Sequence, residues 1–280
     1  MLSIGQIATL SCLLEVSTPK PGNVHRGADF EDLTFNDFVV SAVAIAPAME
    51  SAVTTCVGQA VLAAVKATHA AVDTNTNLGT VLLLAPLASV PRDRSLAEGI
   101  PSVLEKLTAD DARDVYEAIR IAQPGGLGKS ETMDVENPAP DDLLSAMKLA
   151  ADRDLVARQF VDRFGLVLES VAPSIANGIE FGWNLTTSIL HAHLKLMSEY
   201  PDCLIARKCG DEAAKQSAVM AQQVMDAVDP TCEAYQLALS NLDFWLRSDG
   251  HRRNPGTTAD LIAAGLFAAL RDELIQPPFK

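Results

Sequence analysis

Aromatic side chains are scarce. They make up 5% of a 280-residue chain that is 48% hydrophobic, so the core has to be aliphatic and rich in alanine. That excludes a β-sandwich, which would draw on valine, threonine and tyrosine, and favours closely approaching helices. Positive charge is also short: Lys and Arg number 22 against 36 Asp and Glu, a formal net charge of −14. This balance argues against nucleic acid or an anionic membrane as a main partner, and a polyphosphate ligand would need local basic residues or divalent cations. The five cysteines, Cys12, Cys56, Cys203, Cys209 and Cys232, are scattered and odd in number. Cys203 and Cys209 lack zinc-ligand spacing and a second pair, so a reduced cytoplasmic protein is expected. The apolar runs at 39–49 and 78–90 fall short of a membrane span and carry Pro47 and Pro86, and the first residues have no basic leader pattern. Strand periodicity, fixed-length repeats and low-complexity linkers are missing too. The expectation is a single all-α domain over 1–280, a multi-helix bundle whose site is formed by inter-helix loops, with association into a homo-oligomer open to its apolar helix faces.

What is present is a series of helix starts. Ile4, Ile7, Leu10 and Leu14 share one helical face, so a first helix should end near Val16. Thr34 with Asp37, Ser95 with Glu98 and Thr108 with Asp111 have capping-box spacing. Pro47 should break the helix begun at Thr34, and 51–72 should be helical again. Further helices are predicted over 78–89, 140–151, 155–164, 166–179 and 185–199. A polar stretch follows Pro201 through Gly210, Asp229-Pro230 looks like a helix start, and Thr257-Thr258-Ala259-Asp260 a cap for the last helix.

Between these helices stand four loops of unusual composition. They are Thr18-Pro19-Lys20-Pro21-Gly22-Asn23, Thr74-Asn75-Thr76-Asn77-Leu78-Gly79, Pro124-Gly125-Gly126-Leu127-Gly128 and Asn254-Pro255-Gly256-Thr257-Thr258-Ala259-Asp260. Each combines glycine or proline with small amide and hydroxyl side chains, which lets backbone N–H groups approach a ligand closely. Their recurrence points to one polar pocket.

Taken in order, these segments, with Glu15-Val16-Ser17 ahead of the first and Pro201-Asp202 and Ala206-Arg207-Lys208 before the last, resemble the triphosphoribosyl-dephospho-CoA synthase family over nearly the whole chain. The resemblance implies an all-helical enzyme that joins the triphosphorylated ribose of ATP to the ribose hydroxyl of 3′-dephospho-CoA and releases adenine. The product is the precursor of a prosthetic group on acyl-carrier subunits of citrate lyase and malonate decarboxylase. Asn23-Val24-His25-Arg26 ahead of Gly27-Ala28-Asp29-Phe30 departs from the family's usual first loop.

Displacing adenine breaks an N-glycosidic bond, so positive charge develops at the anomeric carbon. The reaction needs a nearby carboxylate, a base for the attacking hydroxyl and cations along the triphosphate. Glu15 is read as a magnesium ligand or general base, and Asp134 as a catalytic carboxylate or second metal ligand. Lys20 would meet phosphate as a point charge, with His25 and Arg26 extending the same basic segment. Asp29 falls at the family's acidic position and is the other metal candidate for the Mg²⁺ expected with ATP. Gly22 and Gly79 permit close approach, and Asn75 and Asn77 would bond base or ribose. Gly125, Gly126 and Gly128 would cradle phosphate through backbone N–H groups, and Arg207 and Lys208 would bind it through charge.

Each of these has a plainer reading. Glu15 can be a solvated helix-end carboxylate, the glycine run a helix stop, Arg207-Lys208 ordinary surface, and Asp260 the completion of a cap. His191 and His193 point apart on a helix, against a shared metal site. Two rival functions stay open: pentose-phosphate transfer to another cofactor precursor, for example a pterin, or a nucleotide-binding protein without turnover.

Overall fold

The structure, a computed structural model, describes residues 2–125, 135–227 and 229–279. Helix α1 (Ile4–Ser17) opens on Ser3, whose hydroxyl accepts from the Gln6 amide while Gln6 reaches back to the Ser3 amide. The same reciprocal box starts α2 (Phe35–Ala44) at Thr34 with Asp37. Pro47 lies in the first turn of α3 (Ala46–Ser51), so the break comes where proline removes a helical donor. A 3-10 turn, Ala52–Thr54, precedes α4 (Val57–Val72), so the helix expected from residue 51 begins only at Val57. Helix α5 (Leu78–Ala88) is followed by α6 (Leu96–Glu105) and α7 (Ala109–Ala122), started by the Ser95–Glu98 and Thr108–Asp111 boxes.

Carboxylates at Asp142 and Asp154 accept from the first-turn amides of α8 (Leu143–Ala150) and α9 (Leu155–Val161). A π-helical turn, Leu166–Val171, leads into α10 (Ala172–Glu180), and Asn184 caps α11 (Leu185–Glu199). Two boundaries differ from expectation. The stretch after Pro201 contains a helix, α12 (Cys203–Cys209), because Asp202 accepts from the amides of Leu204 and Ile205. Helix α13 (Asp211–Met225) follows Gly210 directly. Asp229-Pro230 does not open a helix: Asp229 bonds the amide and hydroxyl of Thr231 as a side-chain turn, and α14 (Glu233–Arg247) starts at Cys232. A four-residue strand segment, Ser248–His251, precedes α15 (Gly256–Arg271).

Helix α15 is the axle of the bundle. It is apolar on nearly every face, as a helix enclosed on all sides must be, and α1, α5, α10, α11 and the π-helical turn surround it. Gly265 lets the π-helical turn close on it, since a Cβ there would sit 2.3 Å from Val171 Cγ1. Truncating Leu266 at this axis to alanine should cost about 2–5 kcal/mol. At its far end Arg271 donates to the carbonyls of Arg94, Pro91 and Val90 at 2.6, 2.7 and 3.3 Å. A second apolar cluster, with Met197, Tyr235, Leu242 and Leu246, fills the space among α11, α12, α13 and α14.

The stretch Phe35–Thr54 is, by length and apolarity together, enough to cross a bilayer. In the fold it is split among α2, α3 and the 3-10 turn, and it packs on α1 and α4.

Candidate functional site

Helices α5, α9, α12 and α15 begin around one cavity of about 1270 Å³, with α7 and α8 on its flank. Helix N-termini favour anions, but several of these ends are already occupied. Asp154 takes the first amides of α9, and Asp202 those of α12 together with the Thr258 amide and hydroxyl of α15 at 2.7 and 2.8 Å. The Leu78 amide of α5 is held by Asn75 Oδ1 at 3.1 Å. Affinity for a polyanion must therefore come mainly from side chains. The cavity wall supplies Arg153, Arg158, Arg207, Lys208 and Lys215, all from α9, α12, α13 and the turn before α9.

The opposite end, the floor, is built by α1, the first loop, α5 and α15. Its lining includes Glu15, Asn23, Asn77, Thr80 and Asp260. Thr80 Oγ1 donates to Asp260 Oδ1 at 2.6 Å. Gly79 is required here, because a Cβ would lie 2.1 Å from Asp260 Oδ2. Burial, with Glu15 and Asp202 adding like charge, pushes the Asp260 carboxyl up to about 7. Asn23 and Asn77 are 5% and 8% exposed, and among the described residues Asn23 Oδ1 and Asn77 Nδ2 have no hydrogen-bond partner. Buried polar atoms are normally paired, so two orphans on one floor mark places for ligand atoms.

The residues anticipated from sequence divide into three groups. Glu15, Asn75, Asn77, Gly79, Gly125, Arg207 and Lys208 line the cavity, and Lys208 Cε comes within 3.1 Å of the Cβ position of Gly125. Gly126, Gly128 and Asp134 lie outside the described residues. Lys20, Gly22, His25, Arg26 and Asp29 are not on the cavity wall.

Lys20 is fully buried, and its ammonium is spent on Glu15 Oε1 at 2.9 Å and on the carbonyls of Glu15 and Thr18 at 2.5 and 3.2 Å. Three donors meet three acceptors, so its charge fixes Glu15 instead of reaching into the cavity. Gly22 is wedged against Leu246, with its amide on Asp243 Oδ1 at 2.8 Å. The His25 backbone pairs with Ala28, Arg26 is exposed, and Asp29 Oδ1 accepts from the Phe35 amide at 2.6 Å. Helix α14 clamps this loop: Arg247 donates to the Asn23 carbonyl at 2.5 Å and lies over the Phe30 ring.

Asp260 was open to a different reading in the sequence, as part of a helix cap. It sits in the second turn of α15, beyond the reach of a cap, and the helix end is served by Asp202 instead. The signal was its register: residues 260, 264 and 267 share a stripe with Ala264 and Phe267, and an acid on an apolar stripe is out of place.

A family model for ATP:dephospho-CoA triphosphoribosyl transferases matches residues 1–279. No curated protein matches the chain. Among solved structures, a protein from Archaeoglobus fulgidus provisionally assigned as a triphosphoribosyl-dephospho-CoA synthase is 28% identical, with a TM-score of 0.64 over 83% of this chain and 97% of that one. With the matched loops gathered around one cavity, the chain belongs to the ATP:dephospho-CoA triphosphoribosyl transferase family and is an enzyme of that type.

Proposed function

We propose that the cavity holds ATP with its triphosphate toward Arg153, Arg207, Lys208 and Lys215 and its ribose over the floor of Glu15, Asn77 and Asp260, where the ribose hydroxyl of dephospho-CoA displaces adenine. The observation that carries this arrangement is that one cavity is lined both by Arg153, Arg207, Lys208 and Lys215 and, from other elements, by Glu15, Asp260 and the amides of Asn23 and Asn77. A triphosphate needs the first, and an anomeric carbon gaining positive charge needs the second. The volume, about 1270 Å³, exceeds the roughly 300–1,000 Å³ typical of a pocket for one small ligand. Val115, Ile119, Leu82 and Met147 give an apolar wall suited to a base or to the aliphatic arm of the acceptor.

Magnesium is expected with ATP, and the described residues do not assemble a cluster of three His, Cys, Asp or Glu groups to hold it. Asp29 is engaged in capping α2 and Glu15 in pairing with Lys20. Five free thiols fit a reducing compartment, in keeping with a cytoplasmic enzyme.

The rival acceptor rested on the departure around residues 23–30. Of these only Asn23 and Val24 reach the cavity wall, so the departure changes little that a substrate would touch. Dephospho-CoA is the better acceptor on that ground. Incubation of the purified protein with ATP, dephospho-CoA and Mg²⁺ should release adenine together with a triphosphoribosylated product visible by mass. ATP turnover with a pterin precursor but not with dephospho-CoA would transfer the reading to the rival, and tight ATP binding without any turnover would favour a binding protein.

A further inference from the structure

Glu15 shares the floor with Asp260, Asp202 lies behind it and Asp154 stands at the start of α9, and Glu15, Asp202 and Asp154 are each committed elsewhere. Glu15 is committed to an ion pair with Lys20 at 2.9 Å. Asp202 receives four hydrogen bonds, from the amides of Leu204, Ile205 and Thr258 and the Thr258 hydroxyl, and it is fully buried off the wall. Asp154 caps α9 and pairs with Arg207 at 3.0 Å.

Asp260 differs from all three. Among the described residues no cation lies within ion-pair range of it, and its partner is a neutral hydroxyl, Thr80 Oγ1 at 2.6 Å. It faces the cavity beside Gly79, whose missing side chain leaves room for it. The charged or titratable groups around it are Glu15 and Cys12 from α1 and Asp202 from the start of α12, so Thr80 alone favours its anion against burial and two like charges. Asn23 Oδ1 and Asn77 Nδ2, the orphaned atoms, lie on the same floor and can hold a ribose while the proton moves.

Resting on the transfer reaction proposed above, we infer that Asp260 is its catalytic base, with Thr80 as the positioning residue. The acceptor hydroxyl oxygen forms a bond to the anomeric carbon of ATP as the bond from that carbon to adenine N9 breaks. The electron pair of the broken bond leaves on adenine, which takes a proton from solvent. The proton of the acceptor hydroxyl passes to Asp260, which later returns it to water, so charge and protons balance. A carboxyl that titrates near neutrality suits this task, since a base works best when its proton affinity matches the operating pH.

The test is the pH profile of adenine release from ATP and dephospho-CoA for the wild type, Asp260→Asn, Asp260→Glu and Thr80→Val, with ATP binding measured separately by calorimetry. Asp260→Asn should lower kcat by about 100-fold or more, within the range for general bases. It should also abolish the acidic limb of the profile while ATP binding changes by less than about threefold. Asp260→Glu should recover part of the rate. Thr80→Val, having lost the hydroxyl that holds Asp260 and stabilises its anion, should lower kcat by less than Asp260→Asn does and move the acidic limb to higher pH. Retention of rate and limb in Asp260→Asn overturns the inference, as does a loss confined to ATP binding. If Asp260→Asn does not fold, an unmoved limb in Thr80→Val overturns it equally. A wild type that releases no adenine would instead remove the transfer reading itself.

Discussion

The floor and the rim of the cavity are made differently. The floor is rigid and inward: Glu15, Lys20, Asn23 and Asn77 are buried, and each is held by helices that also carry the core. The rim is outward and solvated, with Arg153, Arg207 and Lys215 exposed, Arg207 paired with Asp154 and Lys215 with Glu212. Chemistry needs fixed distances, and buried groups supply them. Capture of a polyanion needs charge that can follow the ligand, and long exposed cations supply that. With a net charge of −14, the cations of the rim stand among acids such as Asp152, Asp154 and Asp211, so a polyanion depends on them directly.

Breaking the floor should do the most damage. Lys20→Met strands the Glu15 carboxylate beside Asp260 without its counter-ion. Removing one partner of a buried pair typically costs about 3–5 kcal/mol, which a urea titration would read directly. A loss under about 1 kcal/mol would mean the pair is solvated in practice.

Gly79→Ala comes next. Its Cβ would collide with Asp260 Oδ2, and the helix start cannot move without disturbing α15. Adenine release should fall by about 100-fold while stability changes by only about 1–3 kcal/mol. A variant with normal kcat would show that Asp260 is free to swing.

The rim should respond more mildly and in a different parameter. Arg207→Ala or Lys208→Ala removes one charge-assisted contact to phosphate, about 1.5–3 kcal/mol, or roughly 10- to 100-fold in KM for ATP. kcat should hold, and the salt dependence of KM should weaken. A fall in kcat with unchanged KM would erase the distinction between the two regions.

The smallest effects concern proton linkage behind the floor. His193 is fully buried, neither ring nitrogen has a partner among the described residues, and burial together with Lys20 holds its pKa well below 6.5. The unfolded chain therefore binds more protons there once the pH drops under 6.5, and stability declines as the pH falls. Asp260 acts in the opposite sense. Its folded pKa lies above the unfolded 3.8, so the native state binds the extra proton and stability declines as the pH rises from about 4 to about 7. His193→Leu should flatten the acid-side decline, and Asp260→Asn the other, each seen in Tm against pH. Identical profiles in wild type and variant would exclude the corresponding group.

Much of the fold is carried by short-range chemistry and is readable without coordinates. Thr34, Ser95 and Thr108 each start a helix because the partner acid stands three residues on. The misjudged boundaries lack that local completeness. Asp202 looks like one more polar residue until its second oxygen is seen to hold Thr258, a contact 56 residues away. The site shows the same limit. Asn77 and Gly79 are conspicuous by composition, whereas Lys20 faces inward because Glu15 and Thr18 supply acceptors for it, which depends on how the loop turns back. Spacing tells which loops matter, but the direction of a long side chain is decided by partners from elsewhere.

Helix α15 has a consequence for biosynthesis. It is the last of the described helices to leave the ribosome, and it carries Asp260 and much of the surface that covers α5. Until it emerges, the face of α5 that it covers stays open, and the pocket lacks Gly256, Thr257 and Asp260. Translational arrest before residue 256 should therefore leave an inert precursor that chaperones bind, and competence should be acquired only once α15 has been made.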